Sequence, residues 1–399
     1  MREFSALRVA IVHEWLVTRG GSEKVLEEML EIWPNADLFS VIDCYSDADR
    51  KHIGGRRAKT TFIQQLPCAS RLYQKYLPLM PFAVEQLDLS SYDLVISSSH
   101  AVSKGVITGP NQLHICYIHS PIRYAWDMQH QYLKEAGLDK GLSGWAARLI
   151  LHKIRQWDAR SSLGVDCFVA NSQYIARRVN KVYRREAKVI YPPVSIDAFE
   201  RGDTKSDFYL TASRLVPYKK IPAIVEAFAK MPSRRLVVIG DGPEFAKAKA
   251  HATSNVTLMG YQPFSVLQDH MRRAKAFIFN AEEDFGIVPV EAQACGTPVI
   301  AFGSGGAKET IISDASRGTT GLFYAAQTPD AIMDAVARFE SLATPIDPRA
   351  CRQNAERFSA ERFRQSFRSY CEKRYAEFVE SCGTIPQADH IPYSSQKAK

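Results

Sequence analysis

The sequence lacks the marks of several large classes of protein. It contains no apolar run near the ~20 residues that a membrane-spanning helix requires. Its eight cysteines form no CxxC pair and show no metal-ligand spacing, which favours a reducing, cytoplasmic location. The apolar stretch 7–12 runs directly into His13 and Glu14. A secretory signal would not tolerate these residues, so we expect no cleaved leader.

What is present is an ordinary globular composition with a basic excess. The 399 residues are 46% hydrophobic and 24% charged, which excludes collagen-like, coiled-coil and globally disordered chains. This length is enough for two domains with large cores. The net charge of +8 favours anionic partners.

Short apolar runs alternate with longer amphipathic stretches, which is typical of parallel sheets with crossover helices. The pattern predicts an α/β fold of two doubly wound, Rossmann-like domains that face each other across a cleft. Ligands of such folds bind at the carboxyl ends of the strands. The predicted strands are residues 7–12, 94–97, 115–118, 166–169 and 189–190 in the first half, and 208–211, 235–239, 256–259, 276–279, 298–301 and 321–324 in the second.

A proline pair at residues 192–193 and the polar run 200–207 indicate a boundary between the domains. We expect a first domain over residues 1–199 and a second over residues 200–358. A long helix over residues 359–382 follows the second sheet and is predicted to cross back to the first domain. Residues 383–399 show no periodicity and are predicted to be a disordered tail.

The turn after the first predicted strand contains Gly20 and Gly21 and opens a helix. Adjacent glycines let backbone N–H groups approach an anion closely, and a helix N-terminus adds positive dipole. The alternative is a plain tight turn. The turn is neither a GxGxxG fingerprint nor a Walker loop.

The strongest local motif, residues 281–292, follows the fourth strand of the second set. Its proline predicts a helix that begins near Ile287, with Glu283 in the preceding loop and Glu291 in the first turn. Carboxylates accept hydrogen bonds from vicinal hydroxyls, and the free N–H groups of Gly286 and Ile287 suit phosphate or sugar oxygens. This combination fits a sugar nucleotide. The alternative is that the acidic residues only complement the helix dipole.

A basic loop follows the first strand of the second set. Arg214 supplies a planar fork and Lys219 or Lys220 a mobile charge, which together would neutralise a diphosphate. The alternative is a solvated loop. Glycine turns at 240–243 and 303–306 also end strands. We expect the first to be a plain turn and the second to be able to cradle phosphate.

His119 ends the third predicted strand at the level of the cleft. A histidine there can hydrogen-bond a hydroxyl, although a structural role is the more common one. Arg123, Tyr124, Trp126 and Asp127 follow. Their mixture of aromatic faces and hydrogen-bonding groups suits a carbohydrate, and packing is an equal alternative for the two aromatic residues.

A basic segment and an acidic pair allow two further interpretations. Residues 140–188 carry eleven basic and three acidic residues, with Trp145, Leu149, Ile150 and Trp157 at helical spacing. This pattern suits an anionic membrane surface, or else a solvated face. No nucleic-acid-binding motif accompanies the charge. A DxD pattern at 47–49 lies far from the other motifs, so we predict no metal.

Taken together, these motifs resemble the retaining nucleotide-sugar glycosyltransferases of the GT-B fold, glycosyltransferase family four. The resemblance extends from Ala10 to about Tyr324 and is strongest toward bacterial mannosyltransferases that build O-antigen, capsule and exopolysaccharide. It rests on the order of five motifs: Gly20-Gly21, His119 to Asp127, Ser213-Arg214-Leu215 with Lys219, the turn 240–243, and Glu283-x7-Glu291.

The resemblance implies how the donor nucleotide is held. Arg214 and Lys219 would bind the diphosphate with help from the backbone of Gly20 and Gly21, and Glu291 would bind the ribose hydroxyls. The loop around residues 260 and 261 would read the base.

It also implies how the transferred sugar is held. Glu283 and the N–H groups of Phe285, Gly286 and Ile287 would bind this sugar, and His119 would hydrogen-bond and orient it. The loop that would read the base contains Gly260 and Tyr261. The first domain would bind the acceptor and the second the donor, with no metal or resident cofactor.

We therefore expect a metal-independent, retaining transferase that moves a hexose, with mannose from GDP-mannose favoured, to a lipid-linked saccharide in bacterial surface polysaccharide synthesis. It would act in the cytoplasm, with peripheral contact to an anionic membrane and no nucleic-acid partner. Three alternatives are a UDP-sugar donor, an NAD-dependent oxidoreductase, and a non-enzymatic binder of anionic surfaces. The missing GxGxxG argues against the oxidoreductase.

Overall fold

Two parallel sheets organise the chain, which confirms the predicted α/β class. The computed structural model describes residues 3–314, 316 and 318–383. The predicted tail therefore lies outside the described residues, except for its first residue. Because consecutive parallel strands need a crossover, helices connect most strands of both sheets.

The first sheet has seven strands. In chain order they are β1 Val9–Leu16, β2 Asp37–Asp43, β3 Lys59–Thr60, β4 Leu94–Ser99, β5 Leu113–Ile118, β6 Cys167–Ala170 and β7 Ala187–Val189. Their spatial order is β3-β2-β1-β4-β5-β6-β7, with parallel pairing throughout. The strand order therefore reverses between β1 and β4.

The second sheet has six strands: β8 Tyr209–Ala212, β9 Leu236–Ile239, β10 Val256–Leu258, β11 Ala276–Phe279, β12 Val299–Phe302 and β13 Gly321–Tyr324. Their order is β10-β9-β8-β11-β12-β13, again parallel. The reversal lies between β8 and β11. In doubly wound sheets such a reversal opens a crevice at the carboxyl ends of the two strands.

Helices of very different length connect these strands. In the first half they are α1 Gly21–Ile32, α2 Asp47–Arg50, α3 Ala69–Leu72, α4 Met80–Glu85, α5 Gln129–Glu135, α6 Gly141–Ser161 and α7 Gln173–Tyr183. In the second they are α8 Ile221–Ala229, α9 Phe245–His251, α10 Phe264–Arg273, α11 Ile287–Ala294, α12 Ala307–Thr310, α13 Pro329–Glu340, α14 Pro348–Ala355 and α15 Ala360–Gly383. Among the described residues, no helix is both long and apolar enough to cross a membrane.

The predicted strands correspond to β1 and β4–β13, but two strands of the first sheet were missing from the prediction. Strand β2 is bounded by aspartates and interrupted by the buried Ser40, whose hydroxyl donates to the Glu14 carbonyl at 3.2 Å. Strand β3 has only two residues, too few to show an alternating pattern. Strand β1 also continues to Leu16, beyond the predicted end at residue 12, because the polar residues that follow are buried rather than solvated.

The first sheet is buried on both faces, as parallel sheets require. Along β1, Val9 and Ile11 pack into one apolar cluster while Ala10 and Val12 pack into another. The first cluster also contains Phe367 of α15. The last described helix therefore contributes side chains to the core of the first sheet.

The chain crosses between the two halves twice, at neighbouring positions. After β7 it passes into the second half, and between α14 and α15 it returns. Val194 in the first crossing and Ser359 in the second form an isolated parallel bridge, and the Val194 N–H donates to the Phe358 carbonyl at 2.9 Å. Helix α15 then packs along α1, where Arg364 pairs with Glu28.

Candidate active site

The two strand-order reversals face one interdomain cavity of about 530 Å³. Loops that leave the carboxyl ends of the strands supply its walls from both halves of the chain. The first half contributes Gly21, His119 and Arg123 among others, and the second contributes Tyr218 and the run from Glu283 to Val288. This location is the one that the doubly wound topology favours for a ligand.

Lys219 and Glu283 meet at this cavity although they follow different strands. Their side chains form an ion pair, and both are largely buried. Burial, followed by the nearby Arg123 guanidinium, lowers the pKa of Lys219 to about 8. Lys220 is exposed, with a positive φ of 55°. Of the two adjacent lysines, Lys219 is thus the one that contacts Glu283 of the cavity wall.

Helix α11 begins at Ile287, the predicted position. Gly286 precedes it with a φ of +83°, and no side chain caps the first turn, so backbone N–H groups remain available to an anion. Glu291 was predicted in the first turn, which is wrong. It is the fifth residue of a helix with 3.6 residues per turn, and it pairs with Lys24 at 3.2 Å. The Glu291 carboxylate therefore points toward α1 of the other half.

Glycines behind the two site loops allow close packing of backbone. A Cβ on Gly305 would lie 2.3 Å from the Glu283 carbonyl oxygen, and one on Gly240 would lie 1.8 Å from the Ser213 carbonyl oxygen. Real Cβ atoms do not approach so closely, and both positions have positive φ. The glycine turns at 240–243 and 303–306 thus buttress the basic loop and the acidic loop.

Charged groups pair directly across the cavity mouth. Asp284 of the second half forms an ion pair with Arg123 and a second, at 3.5 Å, with Arg178. At the N-terminus of α7, the N–H groups of Gln173 and Tyr174 donate to the Glu309 carboxylate at 2.7 and 2.9 Å. The two halves are therefore held face to face by several polar contacts.

His119 lines the cavity from the first half. Its Nε2 lies 2.9 Å from the Ser98 hydroxyl. Burial and the neighbouring rings of His100 and His13 lower its pKa to about 3, so the ring is neutral at physiological pH. Glu14 holds the adjacent loop, because its buried carboxylate accepts N–H groups from residues 100–103.

The remaining predicted site residues lie around the cavity or outside it. Gly20 precedes α1, and a Cβ on Gly21 would lie 3.0 Å from Ile287 of the opposite half. Gly260 accepts the Gly240 N–H at 2.8 Å, and Tyr261 is 81% exposed. The last two residues thus lie at the carboxyl edge of the second sheet.

Two predicted residues contribute less to the cavity wall than their motifs suggested. Phe285 is buried and packs against Tyr191 and Phe358, so only its backbone is a candidate ligand group. Arg214 is exposed and forms no ion pair with any described residue. Arg214 is therefore not part of the lining of this cavity, although it acts electrostatically on Tyr218, which is.

Sequence reasoning missed four groups that shape the site. Lys24, Asp284 and Glu309 form the cross-domain contacts described above, and Ser98 binds His119. Asp284 lies inside the acidic motif 281–292, and that position could have identified it as a site residue from the sequence. The others pair with residues 21 to 267 positions away, and no local pattern encodes such contacts.

The comparisons with known families divide the chain at the same place as the fold. A model described as Glycosyltransferase Family 4 matches residues 19–198. A second model, described as Glycosyl transferases group 1, matches residues 195–358. Together the two matches include each predicted site residue, and they meet at the first crossing between the domains.

Curated relatives match over part of their length. A D-inositol 3-phosphate glycosyltransferase of Mycobacterium avium (strain 104) is 26% identical over 245 residues, which is 52% of this chain and 57% of the relative. A GDP-mannose-dependent monoacylated alpha-(1-6)-phosphatidylinositol monomannoside mannosyltransferase of Corynebacterium glutamicum is 28% identical over 216 residues, 45% of this chain and 56% of the relative. The chain thus spans little more than half the length of these relatives.

Solved structures share the fold over nearly the whole chain. The Anabaena Alr3699/HepE structure in complex with UDP and glucose covers 94% of this chain and 100% of its own, with a TM-score of 0.64 and 18% identity. The lipopolysaccharide outer core galactosyltransferase WaaB, in its apo form, covers the same shares with a TM-score of 0.61 and 17% identity. Because its two halves match these two family models and it has this two-domain architecture, the chain belongs to the GT-B glycosyltransferases, group 1 and family 4-like.

Proposed function

We propose that the protein is a metal-independent, retaining glycosyltransferase that moves a hexose from a nucleotide sugar to a lipid-linked saccharide. The observation that supports this most directly is that Gly21, Glu283 and the N-terminus of α11 line one interdomain cavity, with Lys219 paired to Glu283. Cations and free N–H groups suit a diphosphate, and a carboxylate suits sugar hydroxyls.

In the proposed reaction the chain stabilises the charge that develops as the sugar leaves the diphosphate. Lys219 and the N–H groups at the start of α11 would stabilise the departing phosphate. The phosphate itself would accept the proton of the incoming hydroxyl on the same face of the ring. Glu283 would hold the sugar, and the closed lobes would exclude water from the donor.

For the donor, we favour GDP-mannose. The support is the resemblance of the His119–Asp127 run and of the two donor loops to bacterial mannosyltransferases, together with the GDP-mannose named for the Corynebacterium relative. UDP-sugars are the second candidate, because the Anabaena structure with the same fold was solved with UDP and glucose.

For the acceptor, a second cavity of about 520 Å³ adjoins the first. The two share Arg123, Tyr218 and Asp284, and the second also contains Tyr174 and Gln131. Tyrosine rings and amides suit a saccharide. We propose that this cavity receives the saccharide of the lipid-linked acceptor.

A membrane surface would bring such an acceptor to the protein. The first half of α6 exposes Leu142 (89%) and Trp145 (66%), with Leu149 and Ile150 also exposed. Lys153 is exposed on the same helix. An apolar stripe beside basic groups supports peripheral binding to an anionic leaflet.

Thermal-shift measurements with GDP-, UDP- and ADP-sugars test the donor. A ligand that binds only the folded state at 100 times its Kd stabilises by about 2.7 kcal/mol. Stabilisation by GDP and GDP-mannose alone would support the mannose assignment, and a response to UDP compounds alone would redirect it. No stabilisation by any nucleotide sugar would contradict the proposed function.

Transfer assays test the site. Glu283→Ala and Arg214→Ala are each expected to lower transfer by about 100-fold or more, since each removes a group that would bind the donor as it reacts. Glu226→Gln is the matched control, because Glu226 lies on α8 in a surface pair with Lys230. Near-normal turnover in a folded Glu283 or Arg214 variant would contradict the assignment.

A further inference from the structure

A continuous chain of hydrogen bonds runs behind the cavity from α1 to His119. Glu23 Oε1 lies 3.2 Å from His13 Nε2, His13 Nδ1 lies 3.1 Å from Ser98 Oγ, and Ser98 Oγ lies 2.9 Å from His119 Nε2. Glu23, His13 and Ser98 are buried. The chain therefore joins the start of α1 to the cavity wall without passing through solvent.

The chemistry of Glu23 gives this chain a direction. An ionised carboxylate can only accept, so the proton between Glu23 and His13 must be on His13 Nε2. With a neutral imidazole at position 13, Nδ1 is then an acceptor, and the Ser98 hydroxyl must donate to it. Since Ser98 has one hydroxyl proton, its oxygen accepts from His119 Nε2–H.

Glu23 is itself held so that it stays ionised. Its carboxylate accepts the Gly20 N–H at 2.8 Å and the Ser22 hydroxyl at 2.9 Å. Burial opposes ionisation, but the hydrogen bonds from His13, Gly20 and Ser22 outweigh it and hold the pKa of Glu23 below its usual value. The Glu23 carboxylate, which sets the direction of the hydrogen-bond chain, is therefore ionised over the whole physiological pH range.

We infer that Glu23, His13 and Ser98 are positioning residues that fix the tautomer of His119, with Nε2 protonated and Nδ1 presented as a hydrogen-bond acceptor. Nδ1 has no partner among the described residues, and the His119 ring lines the cavity. His119 would therefore accept a hydrogen bond from a ligand hydroxyl and not donate one. That this hydroxyl belongs to the transferred hexose rests on the proposed function.

Other titratable groups face this cluster without joining the hydrogen-bond chain. Glu14 and His100 act electrostatically on the His119 ring, and Arg123 acts on His100, but within the described part of the protein none of them bonds to a ring nitrogen of His13 or His119. Protonation of His13 would place a proton on both of its nitrogens and reverse the direction. The test is therefore made at pH 8, and the same spectrum shows whether His13 carries one ring proton or two; two would overturn this direction.

Histidine-selective ¹⁵N labelling of the ligand-free protein measures the tautomer directly, since protonated and unprotonated ring nitrogens have well-separated shifts. His119 is assigned by the signal lost in His119→Asn. The expected spectrum shows His119 with Nε2 protonated and Nδ1 bare. Glu23→Gln keeps an acceptor for the Gly20 N–H but can also donate, so it should convert His119 to a tautomer mixture.

The chain of hydrogen bonds, called the relay below, predicts more than the tautomer of His119. It also predicts that Glu23 acts on His119 through Ser98. In a Ser98→Ala background, Glu23→Gln should no longer change the His119 signals. Ser97→Ala is the matched control, because Ser97 lies on the same strand and binds His114 Nε2 at 2.8 Å. It should move the His114 signals and leave those of His119 unchanged. A wild-type His119 with Nδ1 protonated, or an effect of Glu23→Gln that is absent or independent of Ser98, would overturn the relay.

Binding measurements separate this inference from the proposed function. Ser98→Ala should weaken binding of the nucleotide sugar about five- to tenfold and leave binding of the nucleoside diphosphate alone unchanged. Unchanged nucleotide-sugar affinity would overturn the hydroxyl contact. Failure of the wild-type protein to bind any nucleotide sugar would overturn the proposed function, while the tautomer result would stand without it.

Discussion

At the scale of single residues, Lys219 combines a contact to Glu283 of the cavity wall with a charge that can be lost. Its pKa of about 8 reflects burial and the repulsion of Arg123, while Glu283 and the rings of Tyr218 and Phe279 also face it. Because the pKa of this lysine is lowered, its positive charge is present below pH 8 and disappears as the pH rises through that value.

The affinity for a nucleoside diphosphate should follow this charge. Between pH 7 and pH 9, Kd is expected to be flat at first and then to rise by up to roughly tenfold per pH unit above about pH 8. Isothermal calorimetry across this range measures the change. Lys219→Arg should remove the rise because arginine keeps its charge. The same rise in that variant would mean that another group is responsible.

Residue types and local spacing predicted Glu283 and either Lys219 or Lys220 as site residues, because they lie just beyond strands whose carboxyl ends share an edge, and the family resemblance selected Lys219. The same reasoning placed Arg214 beside them, but this residue is exposed and forms no ion pair with any described residue. It also could not predict that Lys24 would pair with Glu291. Which side chain turns inward depends on the opposite half of the molecule, and that is absent from a local motif.

At the scale of elements, a buried charge ties α6 to its neighbours. Asp158 of α6 is fully buried and pairs with Lys104, which is also buried. It accepts Trp126 Nε1 at 2.6 Å and the Tyr183 hydroxyl of α7 at 2.9 Å. Trp126 belongs to the loop that carries Arg123, so this carboxylate connects two helices to the cavity wall.

Asp158→Asn should destabilise the folded protein by about 3–5 kcal/mol, because it leaves the Lys104 ammonium buried without its counter-ion. Urea unfolding monitored by tryptophan fluorescence measures this loss. Asp334→Asn is the matched control, since it breaks an exposed pair with Arg338 and should cost at most about 1 kcal/mol. Equal effects of the two changes would contradict the stated role of Asp158.

The elements themselves were predictable where one local signal dominated. Helix α11 begins at the predicted residue, since a left-handed glycine and a nearby proline both define a helix start. Strands β2 and β3 were not predicted. The buried Ser40 interrupts the apolar pattern of β2, and β3 is very short. Burial of Ser40 and of Glu14 depends on hydrogen bonds between elements, which composition does not reveal.

At the scale of the whole molecule, the two halves are joined by contacts outside the donor loops as well as within them. Glu309 of α12 accepts the two N–H groups at the start of α7 and a hydrogen bond from Tyr191. A carboxylate at a helix N-terminus satisfies unpaired donors and complements the helix dipole. Here that carboxylate comes from the other domain, so the cap also holds the lobes together.

Glu309→Ala should therefore favour an open form. Loss of a cap costs about 1 kcal/mol, which shifts an equilibrium between closed and open forms roughly fivefold. Small-angle X-ray scattering of the ligand-free variant should give a larger radius of gyration than the wild type. Asp330→Ala is the control, because Asp330 lies in the first turn of α13 within the second domain. An unchanged radius of gyration in Glu309→Ala would show that this cap does not hold the two domains together.

The return of α15 to the first domain bears on how the protein is made. Phe363 and Phe367 fill the groove beside Tyr117, yet they are translated only after the entire second sheet. Domains generally fold in order of synthesis. Here the core of the amino-terminal domain stays incomplete during synthesis, because the groove beside Tyr117 is unfilled until α15 has been made. A nascent chain arrested before residue 360 would present an apolar surface to chaperones, and the two lobes would reach their final state together.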